Sequence, residues 1–183
     1  MNWENDEVTH KYDSSSYVVI EVPEAGMLEQ VVTELGIDPK LIENLKLCGT
    51  LTDADFDYIH ATMEKTIRSI NLRDVKFENV YVNNEWIDGG GWKNHFSDDY
   101  LPNNAFRYMD NLRSVVLPMN IKEIGDSSFR DLRLSSPIIL PEGVLKIHAY
   151  AFWDCDAEIV MPHTLEYVGG AAFHSERLRG ELI

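Results

Sequence analysis

The chain has 183 residues, of which 44% are hydrophobic, and it carries 31 acidic against 16 basic side chains, a formal net charge of -15. This composition predicts one soluble body with its own core, and it excludes nucleic-acid phosphates and anionic membrane surfaces as partners, since both would repel the chain. No stretch approaches the roughly 20 apolar residues of a membrane span, and no secretory signal is visible at the start.

The amino-terminal third predicts a flexible tail followed by a strand and a helix. Residues 1–16 are polar, and the β-branched run 17–22 predicts a strand that Pro23 stops. A helix that Gly36 ends then follows, because apolar residues recur at helical spacing. These residues are Met27, Leu28, Val31, Val32 and Leu35. We expect residues 17–40 to form an α/β cap on the units that follow.

A second helix is predicted over 53–64, with Thr52 and Asp55 as a capping box at its start. Its acidic residues at 53, 55, 57 and 64 have the spacing of calcium ligands in an EF-hand loop. Tyr58 stands where that loop requires glycine, so we interpret these carboxylates as a solvated helix face and predict no metal there.

The segment after this helix is irregular. Leu72 and Leu117, which both end strand-like signatures, are 45 residues apart, so 73–99 is either a degenerate repeat or an insertion around the glycines 89–91. Four aromatic residues gather there, namely Trp86, Trp92, Phe96 and Tyr100. If these side chains are exposed, they offer a stacking surface for a glycan. If they are buried, they attach the segment to the core. We expect burial, because large aromatic side chains are mostly buried.

The remainder repeats with a period of 21 to 23 residues. Phe106, Phe129, Phe152 and Phe173 each follow a small residue, and a strand-like stretch ending in proline lies between each successive pair. Such a unit cannot enclose its own apolar face, so the next unit must cover it. The period therefore predicts a solenoid whose stacked phenylalanines form the core.

The consensus of these units resembles the BspA-like leucine-rich repeats of bacterial and protozoan surface proteins. The matching stretches are NLRSVVLPMNIKEIGDSSF (111–129), ILPEGVLKIHAYAF (139–152), where His148 replaces a glycine, and EIVMPHTLEYVGGAAF (158–173). The resemblance implies an α/β fold: a right-handed leucine-rich-repeat solenoid of stacked parallel strands, with short helices or turns on the other side. The solenoid would span 41–183, with variable repeats at 41–99 and regular repeats at 100–183.

Alternation along the strands predicts where a partner binds. Val116, Ile139 and Val160 should point outward in adjacent strands as one apolar stripe, while their neighbours point into the core. Polar or flanking positions accompany the stripe, namely Ser114, Pro137, Glu158 and, upstream, Asn71. Exposed contiguous apolar surface favours a partner site, although β-branched residues also simply suit strands.

A second row follows the phenylalanines and should line another edge. It contains Arg107, Arg130, Trp153 and His174. Two cations and an aromatic ring suit an acidic or sugar partner, and loose solvated side chains are the alternative interpretation.

Nothing in the chain predicts catalysis or a cofactor. Cys48 and Cys155 are expected to be separate free thiols, about 20 Å apart across the stacked units, and the six histidines show no metal-ligand spacing. The glycines at 89–91 lack the residues of a phosphate loop. We assign no catalytic, cofactor or metal residues.

The resemblance therefore predicts a non-enzymatic binding module of the cell surface or a secreted protein, its export signal presumed removed, that mediates protein–protein interaction or adhesion. A glycan-binding module using the aromatic segment and a structural spacer are the alternatives. Residues 178–183 match the start of another strand without a polar cap, which predicts either that the array of repeats continues or that the chain self-associates through this end.

Overall fold

A computed structural model describes residues 17–87 and 91–175, with the side chains of 17–82 and 94–175. The predicted tail at 1–16, the predicted last strand at 178–183, and Gly89 and Gly90 lie outside these residues. Within them the elements, in chain order, are β1 (Tyr17–Val22), α1 (Leu28–Leu35), β2 (Asn44–Leu51), α2 (Asp53–Met63), β3 (Ser69–Phe77), β4 (Val80–Ile87), β5 (Gly91–Ser97), β6 (Tyr100–Leu101), β7 (Ser114–Val116), β8 (Glu123–Ile124), β9 (Ile138–Ile139), β10 (Lys146–Ile147), β11 (Ile159–Val160) and β12 (Tyr167–Val168).

The fold is mixed α/β, and its strands stack mostly in parallel. Strands β1, β2, β3 and β7 form one parallel sheet in that order, and β7 contacts the parallel pair β9 and β11. A second parallel sheet has the order β6, β8, β10, β12. Each regular repeat, called a coil below, thus contributes one strand to the first sheet or to the adjoining β9–β11 pair, contributes a second strand to the second sheet, and then turns past its phenylalanine.

The phenylalanines form the predicted buried column. Phe106, Phe129 and Phe152 are fully buried, and the ring centroids along the column to Phe173 are 5.1, 4.9 and 5.2 Å apart. Phe56 on α2 extends the column, with its ring 5.7 Å from that of Phe106. The sequence did not reveal this fifth member, because α2 replaces the small-Phe turn there.

The turns that carry these rings repeat a strained backbone position. Asn104, Ser127, Tyr150 and Ala171, each two residues before a phenylalanine, all have φ between 54° and 59°, in the left-handed region. Backbone bonds then link one turn to the next: Phe129 N–H donates to the carbonyl of Ala151 at 2.8 Å, and Phe152 N–H to that of Ala172 at 2.8 Å. Successive coils are therefore hydrogen-bonded along the phenylalanine side as well as through both sheets.

The irregular segment is an insertion rather than a degenerate repeat. Strands β4 and β5 pair with each other in antiparallel register, and Asp99 N–H donates to the carbonyl of Phe77 at 3.1 Å, which closes the base of this hairpin. Removing the 21 residues 78–98 from the 45 between Leu72 and Leu117 leaves 24, about one period. The hairpin is thus inserted inside one coil, between the strands β3 and β6.

The expected burial of the aromatic residues in this segment is correct for one of them and wrong for another. Tyr100 is fully buried, whereas the Phe96 side chain is 66% exposed. Phe96 lies on the outward face of the hairpin, while Val80 and Val82, on the opposite face, pack into the core. Because side chains alternate along a strand, the hairpin's register decides which aromatic residues are covered.

The strand and helix before the repeats form where the sequence predicts them. Strand β1 joins the first sheet beside β2, and α1 ends at Gly36, whose φ of 66° suits glycine. Leu28 and Val32 of the predicted helix face are buried, but Leu35 is exposed, so that part of the prediction is wrong. Leu35 lies in the last turn of the helix, beside solvent, so the buried apolar face ends at Val32.

Asp55 holds the two helices together. It is buried, and its carboxylate accepts hydrogen bonds from the backbone N–H groups of Thr52 at 2.8 Å, Gly26 at 2.8 Å and Leu28 at 2.9 Å. One side chain therefore caps the predicted start of α2 and also the start of α1, 27 residues away in sequence. α2 is continuous through the positions of the calcium-like spacing.

Replacing Phe129 by alanine should lower the free energy of unfolding by about 3 to 5 kcal/mol, because it opens a cavity in the middle of the ring column. Chemical denaturation measures this. Phe96→Ala is the matched control, since that ring is exposed, and it should change stability by no more than about 0.5 kcal/mol. Equal effects of the two substitutions would contradict the register of the column.

Asp55→Ala should lower the free energy of unfolding by at least about 2 kcal/mol, because three backbone N–H groups lose their acceptor. Asp57→Ala removes an exposed carboxylate from the same helix and should stay within about 0.5 kcal/mol of the parent. Urea denaturation of both variants makes the comparison. A near-neutral Asp55→Ala would show that the carboxylate does not join the two helices.

Candidate functional site

The predicted outward stripe lies on β7 of the first sheet and on the adjoining pair β9 and β11. Ile139 and Val160 are direct neighbours in the β9–β11 register, with 38% and 44% of their side chains exposed, and Val116 is half-buried. The inward positions beside them, Val115, Ile138 and Ile159, are buried. Burial therefore alternates as predicted along β9 and β11, and less sharply at Val116.

The stripe becomes polar toward the amino terminus. Asn71 is the register neighbour of Val116, and Lys46 that of Asn71. The ammonium of Lys46 lies 2.9 Å from a carboxylate oxygen of Asp74, and the side-chain oxygen of Asn71 accepts the N–H of Arg73 at 3.0 Å. The row is thus polar at Lys46 and Asn71, and it is apolar again at Val19 of β1, the register neighbour of Lys46, which is 59% exposed.

The flanking positions differ in exposure. Glu158 and Pro137 are exposed, and Ser114 is half-buried beside Ser69. Met119, directly after the buried Pro118, is also exposed and was not among the predicted residues. The sequence could have indicated Met119, because it is a long apolar residue at the position after the proline, where the next two coils have Glu142 and His163.

Glu142 and His163 form a pair between coils at this position. Both the ring Nδ1 and the backbone N–H of His163 lie 2.9 Å from oxygens of the Glu142 carboxylate. The hydrogen bond from the His163 ring lowers the pKa of Glu142 from its usual range. At this edge, the polar contact between Glu142 and His163 therefore lies next to the apolar row.

The second predicted row is brought together only in part. The indole of Trp153 stacks on the ring of His174, with the ring centroids 4.2 Å apart. The guanidinium carbon of Arg130 lies over the same indole, 5.6 Å from its centroid. Arg107 lies instead over the ring of Tyr108 at 4.5 Å. Trp153 is therefore engaged by neighbours in the adjacent coils, which favours a role in binding the coils together over a free stacking surface for a sugar.

Among the described side chains of the hairpin, Tyr81 and Phe96 form an exposed aromatic pair. Tyr81 and Phe96 are register neighbours whose ring centroids are 5.5 Å apart, and Tyr81 is 40% exposed. Trp86 and Trp92 are also paired in backbone register, and their side chains lie outside the described part of the chain.

His148, which stands in the glycine position of its repeat, is buried against the neighbouring coil. Its Nε2 lies 2.8 Å from an oxygen of Glu123, and its ring centroid is 5.2 Å from that of Tyr100. Because a carboxylate only accepts, Nε2 carries the proton. Burial acts to raise the pKa of Glu123, but the hydrogen bond from His148 and the charge of Lys146 outweigh it and lower that pKa.

The two cysteines are free thiols, as predicted. Burial raises the pKa of Cys155 to about 12, with the charges of Asp156 and Asp154 adding to the effect. Burial also raises the pKa of Cys48. Both thiols are therefore poor nucleophiles at neutral pH.

Across 17–87 and 91–175, the structure contains no group of three or more His, Cys, Asp or Glu placed to hold a metal ion. No helix among these residues has the length and apolar character needed to cross a membrane.

Comparison with protein-family models matches residues 99–180 to the BspA type Leucine rich repeat region, in six copies. No curated protein matches the chain significantly. The matched region contains the stripe, the phenylalanine column and the second sheet, and it excludes α1, α2 and the hairpin.

Glu123→Gln should lower stability by about 1 to 3 kcal/mol at pH 7, because the charged hydrogen bond to His148 is lost. A lowered carboxyl pKa stabilises the folded state above the unfolded value and ceases to do so as the pH falls through the folded value. The difference from the parent should therefore shrink below about pH 4.5. Urea denaturation at several pH values, with the exposed Glu166→Gln as control, measures it, and a pH-independent difference would contradict the assignment.

Proposed function

We propose that the chain is a non-enzymatic module that binds a protein partner through its outward apolar row, because residues 99–180 match the BspA type leucine-rich repeat region. Repeats of this kind generally mediate protein–protein interaction or surface binding. They are typically non-enzymatic and belong to surface-associated or secreted proteins. Cell-surface adhesion is the form of this function that we propose.

The proposed architecture is a right-handed solenoid over 41–183, with variable repeats at 41–99 and regular repeats at 100–183, a cap at 17–40 and a polar tail at 1–16. Two observations support the proposed cap. Strand β1 lies at the edge of the first sheet, and the N–H of Leu28, at the start of α1, donates a hydrogen bond to Asp55. Self-association through 178–183 stays a prediction.

One observation carries the proposed binding site: Val116, Ile139 and Val160 lie at equivalent outward positions on successive strands, and two of them are more than one-third exposed. Strands lie about 4.8 Å apart, so equivalent side chains on neighbouring strands adjoin. A row of apolar side chains on an open sheet face suits a broad protein surface better than a small molecule, which needs a concave pocket.

The surroundings of the row support a protein partner. Glu158, Asn71 and Ser114 offer hydrogen-bonding groups at its margin, and the Lys46–Asp74 ion pair bounds it on the amino-terminal side. An apolar centre with a polar margin is the usual arrangement of a protein interface. The chain's charge of -15 favours a basic surface on the partner.

The triple substitution Val116→Thr/Ile139→Thr/Val160→Thr should weaken partner binding at least about tenfold, since it removes apolar contact and keeps β-branching and charge. Binding is screened against host matrix proteins, mucins and a glycan array with the purified chain. Val168→Thr is the control, because Val168 is 47% exposed on the second sheet.

Protein binding that the triple variant retains would contradict this site. Glycan binding unaffected by the triple variant would support the alternative glycan-binding module through the hairpin, whose aromatic residues include Trp86 and Trp92. Binding to none of the probes would support the alternative of a structural spacer.

A further inference from the structure

The hairpin formed by β4 and β5 has two different faces. Val80 and Val82 point into the core and are buried, whereas Tyr81 and Phe96 point away from it. The two outward rings are tilted by 57° with centroids 5.5 Å apart, and they adjoin across the two strands. The hairpin therefore carries an exposed aromatic surface outside the stripe.

Two carboxylates accept hydrogen bonds from the backbone of this hairpin, at or close in sequence to Tyr81 of the aromatic pair. Asp98, the next outward residue after Phe96, is exposed, and one of its oxygens accepts the N–H of Asn79 at 2.9 Å. Asp53 accepts the N–H of Tyr81 at 3.0 Å. A carboxylate has about four acceptor sites, so both retain acceptor capacity, and this part of the surface combines π-faces with negative charge.

Lys76, on β3 just before the hairpin, is already engaged by a carboxylate. The ammonium of Lys76 lies 2.5 Å from a carboxylate oxygen of Glu78. This hydrogen bond raises the pKa of Lys76, to which the charges of Asp98 and Asp99 also contribute. The cation–π contacts at Arg107 and Arg130 lie in the repeat coils, away from the hairpin.

A cation is attracted to the face of an aromatic ring by its quadrupole, and a guanidinium can stack on a ring while it donates to a carboxylate. We propose that the outward face of the hairpin is a second interaction surface, which binds an arginine-bearing segment of a partner protein. The guanidinium lies against the Tyr81–Phe96 pair and donates to the carboxylate of Asp98.

The position of the surface favours a peptide segment over a globular face. The hairpin is inserted into a single coil, and insertions in repeat proteins commonly carry binding residues. One aromatic pair with adjoining carboxylates has room for one or two side chains, which an extended segment presents easily. The overall charge of -15 adds attraction at long range.

The test uses the full chain and a fluorescein-labelled peptide of alternating glycine and arginine, with a citrulline peptide of the same length as the uncharged probe. Fluorescence anisotropy at low salt should show tighter binding of the arginine peptide. Phe96→Leu, which keeps an apolar side chain but removes the ring, should weaken it about twofold to fivefold. Asp98→Asn should weaken it to a similar extent or more.

Two matched controls separate a local site from general attraction. Glu166→Gln removes one exposed negative charge on another part of the surface, and Tyr167→Leu removes one exposed ring from the second sheet. Both should bind the arginine peptide as the parent does. The triple threonine variant of the stripe should also retain it, which distinguishes this surface from the proposed protein-binding face.

Equal affinity of Phe96→Leu, Asp98→Asn and the parent would overturn the proposal, as would an effect of Glu166→Gln as large as that of Asp98→Asn. Binding of a neutral glycan that is lost in Phe96→Leu but kept in Asp98→Asn would also overturn it, and would assign the rings to sugar recognition. Circular dichroism confirms that each variant is folded.

Discussion

Contact between the phenylalanine rings of successive coils sets the separation at which the rest of the structure is arranged. The centroids are 4.9 and 5.2 Å apart in the last two steps, close to the spacing of about 4.8 Å between hydrogen-bonded strands. The spacing of the rings therefore matches the spacing of the hydrogen-bonded strands. A coil alone would expose both faces of its ring, so each coil depends on its neighbours for burial and for hydrogen bonds.

The amino-terminal part satisfies the same constraint with different residues. Helix α2 brings Phe56 against Phe106, so the column continues into a coil that has no small-Phe turn. Asp55, the residue before Phe56, binds the start of α1. The first sheet runs from β1 to β7, with one irregularity in register between β2 and β3. The outward residues beyond it, Ile139 and Val160, follow the buried Ile138 and Ile159.

The period of the phenylalanines and the alternation along the strands were enough to predict the core and the exposed stripe, because both follow from which side chains must avoid water. The hairpin could not be assigned in the same way, since it pairs only with itself and has no counterpart in other coils. Phe96 shows the consequence: its type predicts burial, but its register places it outward. Asp55 accepts hydrogen bonds from Gly26 and Leu28, which are distant from it in sequence. The spacing of residues in the sequence therefore revealed only that Asp55 caps α2.

The closed base of the hairpin has a consequence for how this chain can vary. Phe77 and Asp99 are hydrogen-bonded to each other, so the loop between them begins and ends at one place. The entropic cost of closing a loop grows only with the logarithm of its length, about 0.6 kcal/mol for each doubling. Homologous chains can therefore lengthen, shorten or exchange the outer part of this arm at little cost, while Val80 and Val82 at its root stay constrained by the core.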